Sequence, residues 1–234
     1  MKKILIKSVA AIMILSAAGF ILMAVGGRRT PSFPLDGAED TTGPAENLLA
    51  DLALDLAGPH LEAADLSAGV KKAAITSFAE TAKNIASLSG FIRSQNREVS
   101  LESSLIQANA FLKSSLKYGV PLDLIVAVAN TESHFRPEAK SGAGAAGVMQ
   151  VVWKVHSGLL QANGIAREED LHDPEMGIAA GSLLLSRYIK ASGDLKTALG
   201  RYYGGSADVY WERVSRNLSK FRNAKLFASS QGRP

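Results

Sequence analysis

The sequence predicts a mainly α-helical protein: one compact helical domain behind an N-terminal membrane segment and a linker. Three observations carry that expectation. Ala and Leu dominate, while aromatic and β-branched runs are few, a balance that favours helix over strand. From residue 99 to 228, apolar residues recur at helical spacing between capping residues. Before that, one uncharged apolar run stands next to the N-terminus.

Lys2, Lys3 and Lys7 precede that run, which extends for 18 residues from Ser8 to Val25. Its length sits at the lower limit for a membrane-spanning helix and is long for the core of a signal peptide. Ala24-Val25-Gly26 is an imperfect cleavage site, so residues 1–26 read as an anchor or a signal peptide. The lysines place the N-terminus in the cytoplasm and the rest across the inner membrane, in the periplasm; Arg28 and Arg29 weaken that asymmetry slightly. Residues 27–45 hold Pro31, Pro34 and Pro44 among polar residues and form a linker. Residues 46–98 are Ala-rich and helical in pattern. Breaks are expected at Gly58-Pro59, Ser67 to Gly69 and Ser89-Gly90. This segment reads as a helical spacer without evident chemistry.

The domain over 99–228 follows. Ser100 caps a helix from Leu101 to Tyr118, with Leu105, Leu112 and Leu116 expected on its inner face. Pro121 suits the first turn of the next helix, which carries Leu124, Ile125, Val128 and Ala129 towards Phe135. Asp173-Pro174 opens another helix, ending at Gly193. Asp194 opens a further one, ending at Gly204-Gly205. Ser206 caps a last helix holding Tyr210, Trp211, Val214, Leu218 and Phe221.

Composition excludes several chemistries. With no cysteine there is no disulfide framework, thiolate zinc site or cysteine nucleophile. The four histidines form no His-x3-His or His-Glu-x-x-His pair, so no metal or other cofactor is expected. The net charge of +4 fits approach to an anionic polymer. Basic residues are not interleaved with exposed aromatics in the domain, which argues against nucleic acid.

The informative stretch runs from Asn130 to Gln150. Glu132 closes an apolar helix, where a carboxyl loses solvation and its pKa rises, as a general acid requires. A small-residue loop from Ser141 to Gly147 lets backbone approach a bulky ligand. It leads to Gln150, which offers both donor and acceptor groups. Singly these are weak signals, since a helix-end Glu is commonly a solvated surface residue.

Order and spacing add more. Glu132-Ser133, then Gly147-Val148-Met149-Gln150, resemble the Glu-Ser and Gly-Leu-Met-Gln motifs of the soluble lytic transglycosylase (SLT) family. Leu171-His172-Asp173-Pro174-Glu175-Met176-Gly177-Ile178, followed by Gly181, is similar to that family's Asp-Pro-x-x-Asn-Ile-x-x-Gly helix. Ala198-Leu199-Gly200-Arg201-Tyr202-Tyr203-Gly204-Gly205 is similar to its Ala-Leu-x-x-Tyr-Asn-x-Gly segment. Together the motifs cover roughly residues 105–215.

The resemblance implies a lysozyme-like helical fold and cleavage of the β-1,4 bond between N-acetylmuramic acid and N-acetylglucosamine in peptidoglycan. It implies that Glu132 acts alone, first as acid and then as base, with formation of a 1,6-anhydro ring. It also implies that Ser133 hydrogen-bonds beside the acid, that Met149 and Gln150 line the sugar subsites, and that the Tyr202 hydroxyl orients Glu132. Tyr203 stands where the family usually has Asn, and Gly177 replaces another common Asn, with a looser helix start expected. A lysozyme-type hydrolase on the same fold and a silent wall-binding or assembly protein are the alternatives. The expected partners are glycan strands, the membrane through the N-terminal segment, and a secretion or conjugation apparatus for which wall is cleared locally.

Overall fold

The computed structural model describes residues 68–230. The expected membrane segment and linker lie outside the described residues. Among the described residues no helix is long and apolar enough to cross a membrane. Ser89–Leu226 form a compact unit of their own, and it holds the candidate site described below.

Among the described residues the elements are α1 (Ala68–Gln95), α2 (Leu101–Tyr118), α3 (Leu122–Glu132), a hairpin of β1 (Ala145–Ala146) and β2 (Val151–Val152), α4 (Trp153–Gln161), a 3-10 turn (Glu168–His172), α5 (Pro174–Ser192), α6 (Leu195–Tyr203) and α7 (Ala207–Ser230). This is the mainly helical architecture expected. The break expected at Ser89-Gly90 is absent, since α1 runs through it. One mid-helix glycine costs only about 1 kcal/mol, and the buried Phe91 and Ile92 that follow offset it.

Helix ends follow the capping chemistry. Ser100 accepts from the Ser103 N–H at 3.1 Å, Asp173 from the Met176 N–H at 2.9 Å, and Asp194 from the Thr197 N–H at 2.8 Å. Ser206 accepts a longer bond, 3.4 Å, from the Val209 N–H. Helices α2, α5 and α6 each stop at a glycine in the left-handed region. The expected loosening at Gly177 does not occur. A Cβ there would sit 2.5 Å from the Leu171 carbonyl oxygen, so the missing side chain is what lets the 3-10 turn close onto α5.

Helix α3 is buried along most of its length, from Leu124 to Asn130. A helix apolar all round belongs in a core. Helix α2 packs along α5, and α5 along α6. The inner face of α2 is not the one expected. Leu105, Ala108 and Phe111 are buried, together with Ser104, Gln107 and Ser115, while Leu116 is 42% exposed. The polar members are accommodated by hydrogen bonds: Ser104 with Ser89 at 2.7 Å, and Ser115 to the Val120 carbonyl at 2.8 Å. Beyond α3, the fully buried Phe135 ring sits edge-on to Phe91 and Phe111, with centroids 6.3 and 6.1 Å away. Phe91 also meets Phe221 of α7, at 4.8 Å.

Candidate active site

Glu132 is the last residue of α3. Its carboxyl lies at the negative end of the helix dipole, a poor place for an anion. The side chain is half-buried. Burial raises its pKa above the ordinary 4.5, while a hydrogen bond from Tyr210 and the charge of Arg213 pull the other way. The Tyr210 hydroxyl donates to Glu132 Oε1. Tyr210 is 1% exposed, and its own pKa is driven far up by burial, so it stays a donor at any relevant pH. Tyr203, 43% exposed, stacks on Tyr210 at 4.8 Å and 5°. The Arg213 guanidinium lies 5.8 Å from the Tyr203 ring centroid.

The chain turns sharply after the acid. Ser133 has φ −132°, and His134 and Phe135 then take φ of 52° and 64°. Consecutive non-glycine residues in that region are uncommon and cost about 1–2 kcal/mol each. Ser133 is 1% exposed. Its hydroxyl donates to the Val148 carbonyl at 2.8 Å and accepts the Arg136 N–H at 3.1 Å. This serine thus ties the acid's turn to the Gly147–Gln150 loop.

That loop is held from three more directions. Gly147 has φ 76°, and a Cβ there would run into the Leu171 carbonyl oxygen. Gln150, at φ 48°, donates through Nε2 to the Ala139 and Gly147 carbonyls, at 3.0 and 3.1 Å. The Tyr202 hydroxyl donates to the Met149 carbonyl at 2.7 Å. The His172 ring donates Nδ1–H to the Pro137 carbonyl at 2.9 Å. The four sequence motifs, far apart along the chain, are therefore tied to one another through the Gly147–Gln150 loop next to Glu132.

With that geometry in view, the relatives can be placed. Residues 109–224 match the family model described as Transglycosylase SLT domain. The chain carries a transglycosylase SLT domain. It is 33% identical over 121 residues to a protein named "Transglycosylase" from Enterobacteria phage PRD1, covering 51% of this chain and 43% of that one. It is 37% identical over 99 residues to "Membrane-bound lytic murein transglycosylase C" of Yersinia pestis (strain Pestoides F), covering 39% of this chain and 27% of that one. The protein of the same name from Yersinia pseudotuberculosis serotype O:1b (strain IP 31758) matches to the same extent. The chain spans less than half the length of these curated relatives. No solved structure matches it significantly.

Within this SLT domain, two expected roles change. Met149 was expected to line a sugar subsite, but its side chain is 0% exposed and fills the space over Gly181, where a Cβ would come within 2.5 Å. Its carbonyl, not its thioether, takes part in the site. Tyr202 was expected to orient Glu132. Its hydroxyl is spent on Met149, with its ring edge-on to Tyr188 at 6.5 Å. The bond to the acid comes from Tyr210, read from the sequence as one of the apolar row of α7. The available signal was a phenol among Val214 and Phe221, because a buried hydroxyl needs a partner. Ser133 points inward to backbone. Gln150 has its Nε2 engaged by backbone carbonyls, and Tyr203 is the exposed member of the phenol pair.

Proposed function

We propose that this SLT domain is a peptidoglycan lytic transglycosylase that uses Glu132 as its single acid and base. One observation supports this above the others. A half-buried carboxyl with a raised pKa is oriented by Tyr210, and among the described residues the groups that shift that pKa, Tyr210 and Arg213, include no second carboxylate. A water-activating glycosidase ordinarily pairs two carboxylates.

In the proposed reaction the Glu132 proton goes to the glycosidic oxygen as its bond to C1 breaks. The substrate's acetamido oxygen stabilises the developing cation. The muramyl 6-hydroxyl then bonds to C1 and returns its proton to Glu132, closing a 1,6-anhydro ring without consuming water. Tyr210, holding Oε1, leaves the other carboxyl oxygen to carry the proton. Gln150 Oε1 and the Tyr203 ring would meet the sugars.

The domain would act in the cell envelope, held at the inner membrane by residues 1–26 with the domain in the periplasm. The name "membrane-bound" of the Yersinia relatives fits that location. Local clearing of wall for a secretion or conjugation apparatus is the role this arrangement would suit.

The test is mass spectrometry of fragments released from purified sacculi. Anhydro-ended muropeptides from the wild type and none from Glu132→Gln are the expected pair. Reducing ends would establish the lysozyme-type hydrolase instead. Undiminished lysis by Glu132→Gln would remove the acid assignment.

A further inference from the structure

Two amides reach the turn behind Glu132 from residues that precede the span matched by the family, 109–224. Asn96, just past α1, donates Nδ2 to the His134 carbonyl at 2.8 Å. Its own Oδ1 accepts the Glu98 N–H at 3.0 Å. Gln107, inside α2, donates Nε2 to the Phe135 carbonyl at 3.0 Å and to Ser103 Oγ at 3.1 Å. These carbonyls belong to the two residues in left-handed backbone.

We propose, resting on the acid role of Glu132, that Asn96 and Gln107 are positioning residues: they hold His134 and Phe135 in left-handed backbone and so fix where the Glu132 carboxyl points.

Gln107 shows a stability cost that packing alone does not explain. It is 0% exposed, and its Oε1 has no partner. A buried unsatisfied oxygen costs about 1–3 kcal/mol, whereas an apolar residue of the same shape would avoid that loss. What the glutamine supplies is a donor to the Phe135 carbonyl, deep in the core. Asn96 works where no apolar packing can. Together with His134, Arg136, Gln95, Arg97 and Glu98 it lines a polar groove of about 370 Å³, so on that side a hydrogen bond is what restrains His134. Each left-handed residue would otherwise relax by about 1–2 kcal/mol. Because Glu132 lies only two and three residues upstream, relaxation would swing the carboxyl away from Tyr210 on α7. A displacement of roughly 1 Å at a reacting group can cost on the order of 100-fold in rate.

The variants are Gln107→Met, which keeps length and removes the donor, and Asn96→Asp, which keeps the acceptor for Glu98 and sets a carboxylate against the His134 carbonyl. Both are made in the full chain. Three quantities are read: kcat and KM on sacculi, melting temperature, and the titration midpoint of the Glu132 carboxyl by carbon-13 NMR, its signal assigned by loss in Glu132→Gln. The expected result is a kcat lower by about 10–100-fold with KM within about twofold. The Glu132 midpoint should fall towards the ordinary 4.5 as the carboxyl gains water. A midpoint unmoved in both variants overturns the proposal, whatever happens to melting temperature. If Gln107→Met does not fold, Asn96→Asp, at a part-exposed position, decides alone. If the wild type releases no anhydro-muropeptides, the enzymatic reading fails, yet the midpoint still decides whether these amides position the carboxyl.

Discussion

Helices α2, α5 and α6 end one way and α3 ends another. The first three stop at Gly119, Gly193 and Gly204, with φ of 67°, 75° and 71°, each with open space where a Cβ would be. Glycine reaches that region freely, so these ends need no outside support. The end of α3 instead drives His134 and Phe135 into the same region, with side chains attached. Glycine at 135 would forfeit a ring that is wholly buried between Phe91 and Phe111. The chain therefore accepts strain at the one helix end that carries the acid, and surrounds it with amide donors. Strain at functional sites persists only when the surroundings over-determine it, and here Asn96, Gln107 and Ser133 supply that determination.

The largest expected effect comes from Glu132→Gln. On the proposed role, loss of this general acid costs about 100- to 10,000-fold, read as the rate of anhydro-muropeptide release. Stability should move the other way. The folded-state pKa of Glu132 is raised, so its favourable contribution is present below the ordinary 4.5 and lost as pH rises through the folded value. Above that the wild type carries a buried anion that the amide lacks. Melts at about pH 8 should find Glu132→Gln at or above the wild type, with the gap closing in acid. A variant melting several degrees lower at alkaline pH would mean that the carboxylate is structural.

Next comes a pair that separates the two phenols. Tyr210→Phe removes a hydrogen bond to a charged group, worth about 1.5–3 kcal/mol, or roughly 10- to 100-fold in kcat. That bond lowers the Glu132 pKa, so its loss raises it. The acid then keeps its proton to higher pH, and the alkaline limb of the rate profile moves up. Tyr202→Phe deletes only the donor to the Met149 carbonyl. It should cost about 1 kcal/mol of stability and leave the limb in place. The reverse pattern would return the orienting role to Tyr202.

Much of the fold was legible because capping is local chemistry. Ser100, Asp173, Asp194 and Ser206 announce helix starts by side-chain type alone, and the structure puts a cap at each. Helix α4 was not legible. It begins straight after the β-branched pair Val151-Val152, and only Leu160 on it is buried, so no apolar stripe marks it. At the site, the tie between the Glu132-Ser133 turn and the Gly147–Gln150 loop was readable from motif order. Which hydroxyl meets the acid was not. Tyr202 and Tyr210 are both large, inward-facing phenols on helices, and the partner of each depends on how α6 and α7 pack, a long-range property. Met149 misled for a related reason: a motif names a residue, not which of its atoms faces the substrate.

The smallest effect tests the helix-end contrast most directly. Gly119→Ala meets no neighbour, so its cost is conformational, about 1 kcal/mol. His134→Gly is the mirror experiment. It relieves a left-handed residue worth about 1–2 kcal/mol, offset by about 0.5–1 kcal/mol of added chain entropy in the unfolded state. Stability in urea should stay level or rise by up to about 1 kcal/mol. The same change frees the turn, so kcat should fall a few-fold while the protein becomes no less stable. A loss above about 2 kcal/mol would show that the imidazole itself holds the turn. An unchanged kcat would show that the Asn96 hydrogen bond to the His134 carbonyl is enough to aim the acid without the backbone preference of residue 134.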